Sequence, residues 1–238
     1  MEDRNSLAEL ARIMRSRMAT YQLLSRCFRT EVDQGFYDAL VGMKFPAHTG
    51  NADADAGYRS IWSYLTHASE TVLTDLAVDY VRAFIGSDND GYSAAYPYES
   101  VYTSPKRLMM QTARDEVLAI YHAAGLGRQD SWKEGEDHIA LELEYEQILA
   151  ERAAKALEAG DEDAAVRNLT AARNFLEDHL CAWYPMMADD IQKFARTDFY
   201  KGVGRLTSGM LENDLEFLCD VLGSPEGEMP DDDVKEAC

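Results

Sequence analysis

The chain has 238 residues, of which 46% are hydrophobic and 28% charged, and its formal net charge is −20. This size and hydrophobic content suit one large helical domain or two small ones with a buried core. A strongly negative field repels phosphate backbones, so we expect no nucleic-acid partner. The same charge either attracts basic peptides or serves only solubility.

The sequence carries no pattern typical of export or membrane insertion. Residues 1–6 lack the basic and apolar regions of a secretory signal, and no run of about 18 apolar residues occurs. The cysteines are widely separated, which argues against a zinc site or a disulfide scaffold and favours a reducing compartment; they are Cys27, Cys181, Cys219 and Cys238. We therefore expect a cytoplasmic protein without a bound cofactor.

Helical periodicity dominates the chain. Apolar residues over 7–28 recur at steps of three, four and seven, which predicts a long first helix, and Asp33 can cap a short second one. Further helices are predicted over residues 58–66, 72–84, 105–124, 136–159, 162–183, from Pro185 onward, and 198–222. No alternating strand pattern is present. The predicted fold class is all-α, a bundle of roughly nine or ten helices.

Short turn signals set several of these boundaries. Ser104 followed by Pro105 predicts a helix start, as a cap and a first-turn proline, and Pro185 predicts another. Gly125 and Gly160 are predicted helix ends.

The segments between the helices predict how the chain is divided. Residues 46–57, 86–100 and 125–135 are rich in glycine and polar residues and are predicted loops. Helical periodicity disappears at the third loop, which predicts two lobes. We expect an N-terminal lobe over 1–125, a hinge loop over 126–136, a C-terminal lobe over 137–222 and a flexible tail over 223–238. Such a hinge permits a monomer or a domain-swapped homodimer.

The first candidate site is Glu136-Asp137-His138 at the start of a predicted helix. Acidic residues there favour the helix dipole, so the group is either a charged cap or a binding site. Spacing places His138 at the outer end of an apolar face, partly buried beside two carboxylates. We expect a raised pKa for His138 and a role as hydrogen-bond donor to a ligand. His138→Ala should then weaken binding far more than folding.

Two further groups are weaker candidates. The aromatic loop over 96–102 either binds peptide or pins the loop to the core. His179 is interpreted as a structural histidine packed near Trp183. A di-iron bundle needs Glu-x-x-His, and neither His138 nor His179 has a glutamate three residues earlier, so no metal site is predicted.

Four separated motifs resemble one known family. DYVRAFIG, PYESVY, EDHIALELEY and FLEDHLCAWYP follow one another between about Leu76 and Trp183. Their order and spacing resemble the TorD/DmsD family of redox-enzyme maturation chaperones. The resemblance implies a TorD-like helical fold, no enzymatic activity, and binding of twin-arginine signal peptides and apo-molybdoenzymes.

The resemblance also implies a peptide-binding set. The family's Glu-Pro-x-Asp-His motif matches Glu134 to His138, with Gly135 in place of proline. Tyr96 likewise replaces a proline, and tyrosines stand at positions 80, 98 and 102 where close relatives use tryptophan. The carried-over residues are Tyr80, Phe84, Pro97, Tyr98, Tyr102, Asp137 and His138. Carboxylates of Glu99 and Glu142 near these aromatic faces suit the basic end of such a peptide.

The sequence thus predicts a cytoplasmic chaperone that binds the twin-arginine signal peptide and the apo form of a molybdenum oxidoreductase catalytic subunit. It would assist cofactor insertion and prevent premature export. One alternative is a chaperone for a non-exported nitrate-reductase-type subunit. The other is a helical enzyme or cofactor carrier that uses His138 as acid or base.

Overall fold

The computed structural model describes residues 2–67, 69–86 and 93–223. These residues form ten α-helices, which confirms the predicted all-α class. Their bounds are α1 Glu2–Arg29, α2 Gln34–Gly42, α3 Ala52–Thr66, α4 Val72–Tyr80, α5 Glu99–Thr103, α6 Thr112–Ala123, α7 Ile139–Ala159, α8 Glu162–Phe175, α9 Cys181–Phe194 and α10 Asp198–Leu222. None of the described helices is long and apolar enough to cross a membrane.

Two π-helical segments extend the regular helices. Val81–Ile85 continues α4, and Leu176–Leu180 joins α8 to α9, so that one helical rod runs from Glu162 to Phe194. Such wide turns are rare and often occur at functional sites. The second one carries His179.

Two long helix pairs form most of the core. α1 packs along α7 and α10 along α3, and their buried faces belong to one hydrophobic cluster that extends from Ala11 to Leu218. The α3–α10 crossing is close because Gly57 faces α10: a Cβ at Gly57 would lie 2.5 Å from the backbone nitrogen of Leu206. Helices from both predicted lobes therefore pack together, and the lobe boundary at 126–136 stays a prediction.

Several predicted boundaries agree with the structure. Asp33 caps α2 by accepting a hydrogen bond from the Phe36 amide, and Asp161 caps α8 in the same way through the Ala164 amide. Gly160 ends α7 with a left-handed φ of 74°. These signals are local, which is why the sequence predicts them well.

Two predicted helix starts are wrong. Ser104 ends α5 instead of starting α6, because its amide donates to the Ser100 carbonyl while its Oγ accepts from the Leu108 amide. The next helix begins only at Thr112, after a loop in which Arg107 and Met110 have positive φ.

Pro185 does not start a helix either. It lies inside α9, one turn beyond the π-helical segment Leu176–Leu180. A proline removes one backbone donor from the helix interior, and irregular turns accompany such breaks in the hydrogen-bond ladder.

The predicted loop over 46–57 is also too long. α3 begins at Ala52, because the Asn51 side chain accepts hydrogen bonds from the Asp53 and Ala54 amides. Of the other predicted irregular segments, the loop over 86–100 lies partly outside the described residues, at 87–92, and the tail over 223–238 lies outside them beyond Gly223.

Candidate functional site

The candidate site is built where two loops meet in an isolated antiparallel bridge between Tyr98 and His138. The Ile139 amide donates to the Pro97 carbonyl at 2.9 Å, and the Glu99 amide donates to the Asp137 carbonyl at 3.0 Å. The bridge joins the start of α5 to the start of α7. The structure therefore brings together two motifs that lie some forty residues apart in the sequence.

Asp137 stabilises the start of α5. Its Oδ2 accepts the Ser100 amide hydrogen at 2.9 Å, in the first turn of that helix, where the dipole favours a carboxylate. Its Oδ1 and the Ser100 hydroxyl are buried without a hydrogen-bond partner. Asp137 is thus a buried structural cap with one unsatisfied oxygen.

His138 caps α7 with its ring. Nδ1 accepts from the Ala140 amide at 3.0 Å, so the ring is neutral and its remaining proton is on Nε2. Only 3% of the residue is exposed. Burial, with a smaller contribution from the nearby Arg29 charge, lowers the pKa of His138 from 6.5 to about 3. The predictions of a partly buried, reachable His138 with a raised pKa are therefore wrong, because full burial disfavours the charged imidazolium.

Two aromatic side chains enclose the His138 ring. Tyr98 and Trp132 each meet it edge to face at a centroid distance of 5.1 Å. The Tyr98 hydroxyl donates to Glu134 at 2.5 Å, and burial together with this carboxylate raises the pKa of Tyr98. The contact with Trp132 connects the bridge to the loop over 124–138.

A buried acidic cluster adjoins the bridge at Glu99, the residue after Tyr98. His179 Nδ1 is 3.0 Å from Glu99 Oε2, and the pKa of His179 is raised because Glu99 and neighbouring carboxylates outweigh its desolvation. Glu142 accepts from Trp183 Nε1 at 3.0 Å. Burial, and then the charge of Glu99, raises the pKa of Glu142 well above 4.5.

The remaining predicted site residues divide between the core and a half-buried stack. Tyr80 donates to the Phe28 carbonyl at 2.9 Å, and its ring packs on Phe84 inside the core. Tyr102 is half-buried and stacks on Trp183 with ring centroids 5.5 Å apart. Eight of the nine predicted residues are buried, and only Tyr102 is partly exposed.

Sequence reasoning missed one member of this arrangement, Trp132, and the partners of two others, Trp183 and His179. Trp132 packs on His138, Trp183 bonds Glu142, and His179 pairs with Glu99. The interpretation of His179 as structural agrees with its buried ion pair. The similarity of Glu177-Asp178-His179 to residues 136–138 was the one signal that pointed to it.

An open apolar cleft lies next to the bridge. Its volume is about 390 Å³, and it is bounded by α6, α7, the loop over 124–138 and the last residue of α1. The apolar side chains of the lining are Leu118, Tyr121, Leu126, Trp132, Leu141, Tyr145 and Ile148. Charged groups also line the cleft: Arg29 is paired with Glu144, and the buried Glu136 is 2.6 Å from Arg114 outside the lining. This cleft can receive an apolar segment that the buried motif residues cannot.

No three His, Cys, Asp or Glu side chains in the described part of the chain are grouped so as to hold a metal ion. The buried carboxylates and histidines instead bind one another and backbone amides. The described part of the chain is thus all-helical, with a buried polar bridge beside an apolar cleft.

Comparison with known proteins identifies the family. A family model described as "Nitrate reductase delta subunit" matches residues 51–189, more than half of the chain. A protein named "Chaperone protein TorD" from Vibrio cholerae is 29% identical over 144 residues, which cover 60% of this chain and 62% of that protein. Proteins of the same name from Shewanella loihica and a second Shewanella species are 27% and 28% identical and cover 85% and 87% of this chain, and 93% and 95% of their own lengths.

The chain therefore belongs to the nitrate reductase delta subunit family, which includes the TorD-like chaperones of molybdoenzyme maturation. The match spans less than two thirds of the Vibrio cholerae relative. All three relatives are named as chaperones, which agrees with the prediction that the chain is not an enzyme.

Proposed function

We propose that this protein is a cytoplasmic chaperone for the catalytic subunit of a molybdenum oxidoreductase and that it binds the subunit's basic, apolar leader peptide. It would hold the apo-subunit until the cofactor is inserted and so prevent premature export. The main support is membership of a family whose relatives are named as chaperones, over a match that includes the Tyr98–His138 bridge.

The structure supports a particular division of labour at this site. The carboxylates of Asp137, Glu99 and Glu142 are buried and already engaged, so they are suited to position the loops. The open cleft beside Trp132 offers the apolar surface that a leader's apolar stretch requires. The net charge of −20 favours encounter with its basic end.

The proposal is tested with the leaders of all molybdenum oxidoreductases encoded by the source genome. Each is made as a labelled peptide and titrated with the full-length protein at several ionic strengths. We expect one leader to bind, and its affinity to fall as salt rises because exposed charges are screened over about 8 Å at physiological salt. Binding should persist at high salt, since the apolar stretch is buried. If no leader binds at any salt concentration, the proposed function is wrong.

A second candidate is favoured by the description of the matching family model as a nitrate reductase subunit. In that case the client is not exported, and the protein would bind an N-terminal segment without an arginine pair. The same titration separates the two: arginine-to-glutamine versions of the bound segment lose affinity only if the arginines are recognised. Copurification with a catalytic subunit that lacks a leader would favour the second candidate.

A further inference from the structure

Two clefts meet at one ion pair on the surface of the α1–α7 helix pair. The apolar cleft beside Trp132 has a volume of about 390 Å³, and a second cleft of about 540 Å³ lies between α1, α2 and α7. The second is lined by Phe36 on α2, among others, together with Arg29 and Glu144. Arg29 and Glu144 line both clefts, so their ion pair divides what would otherwise be one continuous groove.

The Arg29 side chain contacts two side chains, Glu144 and Trp132, that are each suited to bind a guanidinium. Its Nη2 bonds the Glu144 carboxylate, and its guanidinium carbon lies 5.1 Å from the centre of the Trp132 ring. A carboxylate beside an indole face is the environment that an arginine side chain prefers, through charge-assisted hydrogen bonds and a cation–π contact. Both charged side chains remain accessible, with 33% of Arg29 and 39% of Glu144 exposed.

We propose that Arg29 is an internal substitute for an arginine of the client peptide. An incoming arginine replaces it on Glu144 and Trp132, and the displaced Arg29 side chain turns to solvent and opens the two clefts into one groove. This inference rests on the proposed function. It names Glu144, rather than the buried Asp137, as the residue that recognises a basic group of the leader.

The occupant is defined by the charge and shape of the groove. The occupant needs a cationic group at the centre of the groove. It also needs apolar side chains on both sides of that group, one set to contact Trp132 in the first cleft and one to contact Phe36 in the second. A basic, apolar leader peptide has this chemistry, and the net charge of −20 attracts it. An exchange of one arginine for another keeps Glu144 paired and leaves the displaced Arg29 guanidinium hydrated, which makes displacement of a half-exposed ion pair inexpensive.

The test is a set of charge-removing variants of the full-length protein. The probe is the tightest-binding fluorescein-labelled leader from the genome screen. Glu144→Gln should weaken its binding by roughly two- to fivefold, and Arg29→Gln should strengthen it by roughly the same factor, the range expected for a half-exposed ion pair. If Arg29 only stabilised the fold, its removal would not be expected to increase the affinity for the leader.

The chain provides a matched control in the same helix pair. Arg15 on α1 pairs with Glu158 on α7 at 2.8 Å, with 37% and 49% of these side chains exposed, and neither lines the two clefts. Arg15→Gln and Glu158→Gln change the net charge by the same amounts as the test variants. We expect them to alter affinity far less, since they act only through the general field.

Each outcome is decisive. The gain from Arg29→Gln should disappear with a leader whose arginines are replaced by glutamine. Equal effects of the test and control variants, an unchanged affinity, or weaker binding by Arg29→Gln in a variant whose thermal melt is intact would each overturn the inference. The proposed function survives those results, because it fails only if no leader binds the wild-type protein.

Discussion

Replacement of His138 by alanine distinguishes a buried helix cap from an exposed binding residue. The substitution removes the acceptor for the Ala140 amide, and loss of an N-cap costs about 1 kcal/mol. It also empties a buried space between Tyr98 and Trp132, and large-to-small core substitutions of this kind cost about 2–3 kcal/mol. We therefore expect His138→Ala to lower the free energy of unfolding by about 3–4 kcal/mol.

A thermal melt measures this effect. For a chain of this size the expected loss lowers Tm by about 6–16 °C. His138→Asn is the matched control, because asparagine is a good N-cap and should recover about 1 kcal/mol of the loss. If His138→Ala melts within about 2 °C of the wild type, His138 is not a structural cap and the reasoning from its burial is refuted. A folded His138→Ala protein with normal stability and no leader binding would restore the original expectation.

Three further predictions concern the pH dependence of His138, the buried carboxyl of Glu142 and the close packing at Gly57. Below pH 6.5 the unfolded chain protonates His138, whereas the folded protein does so only near pH 3, so the free energy of unfolding should decrease as the pH is lowered between these values. Urea titrations should show a decrease of up to about 1.4 kcal/mol per pH unit, and a smaller decrease in His138→Asn. Glu142 has a raised pKa, so its contribution to the free energy of unfolding is complete below pH 4.5 and declines as the pH rises. In the same titrations Glu142→Gln should flatten that decline. Glu142→Leu should lower the free energy of unfolding by about 1–3 kcal/mol, because it leaves Trp183 Nε1 unpaired. Gly57→Ala should lower the free energy of unfolding by about 1–3 kcal/mol in chemical denaturation, because α3 must move away from α10. Gly42 has open space around it, so Gly42→Ala should leave the stability unchanged. A Gly57→Ala protein as stable as the wild type would contradict the close packing.

Local patterns predicted the helices more reliably than their ends. The apolar face over residues 7–28 predicts α1 because burial against α7 requires that spacing. Ser104-Pro105 failed as a start signal because the Ser104 amide donates to the Ser100 carbonyl in the last turn of α5, while its hydroxyl accepts from the Leu108 amide in the following loop. Whether a serine lies at the start or the end of a helix depends on the conformation of the neighbouring loop, which a two-residue motif does not predict.

Long-range polar pairs were beyond sequence reasoning for a different reason. Glu99 and His179 are 80 positions apart and meet only because the π-helical segment and α5 pack together. Periodicity predicts which face of a helix is apolar. It does not predict which polar group on another helix will form a hydrogen bond with a buried side chain. The same limit explains the error in the pKa of His138, since spacing placed carboxylates near it in sequence but could not measure its burial.

The buried motif and the open groove are two parts of one arrangement. Asp137 fixes α5 and His138 fixes α7, and the backbone bridge between their loops sets where the segment over 124–138 leaves the core. That segment carries Trp132, whose ring contacts both the His138 ring and the Arg29 guanidinium. The motif residues therefore position the indole to which the Arg29 guanidinium binds. Substitution of Asp137 or His138 should act on binding through the fold, whereas substitution of Glu144 should act on affinity with the fold intact, and comparison of melts with titrations separates the two.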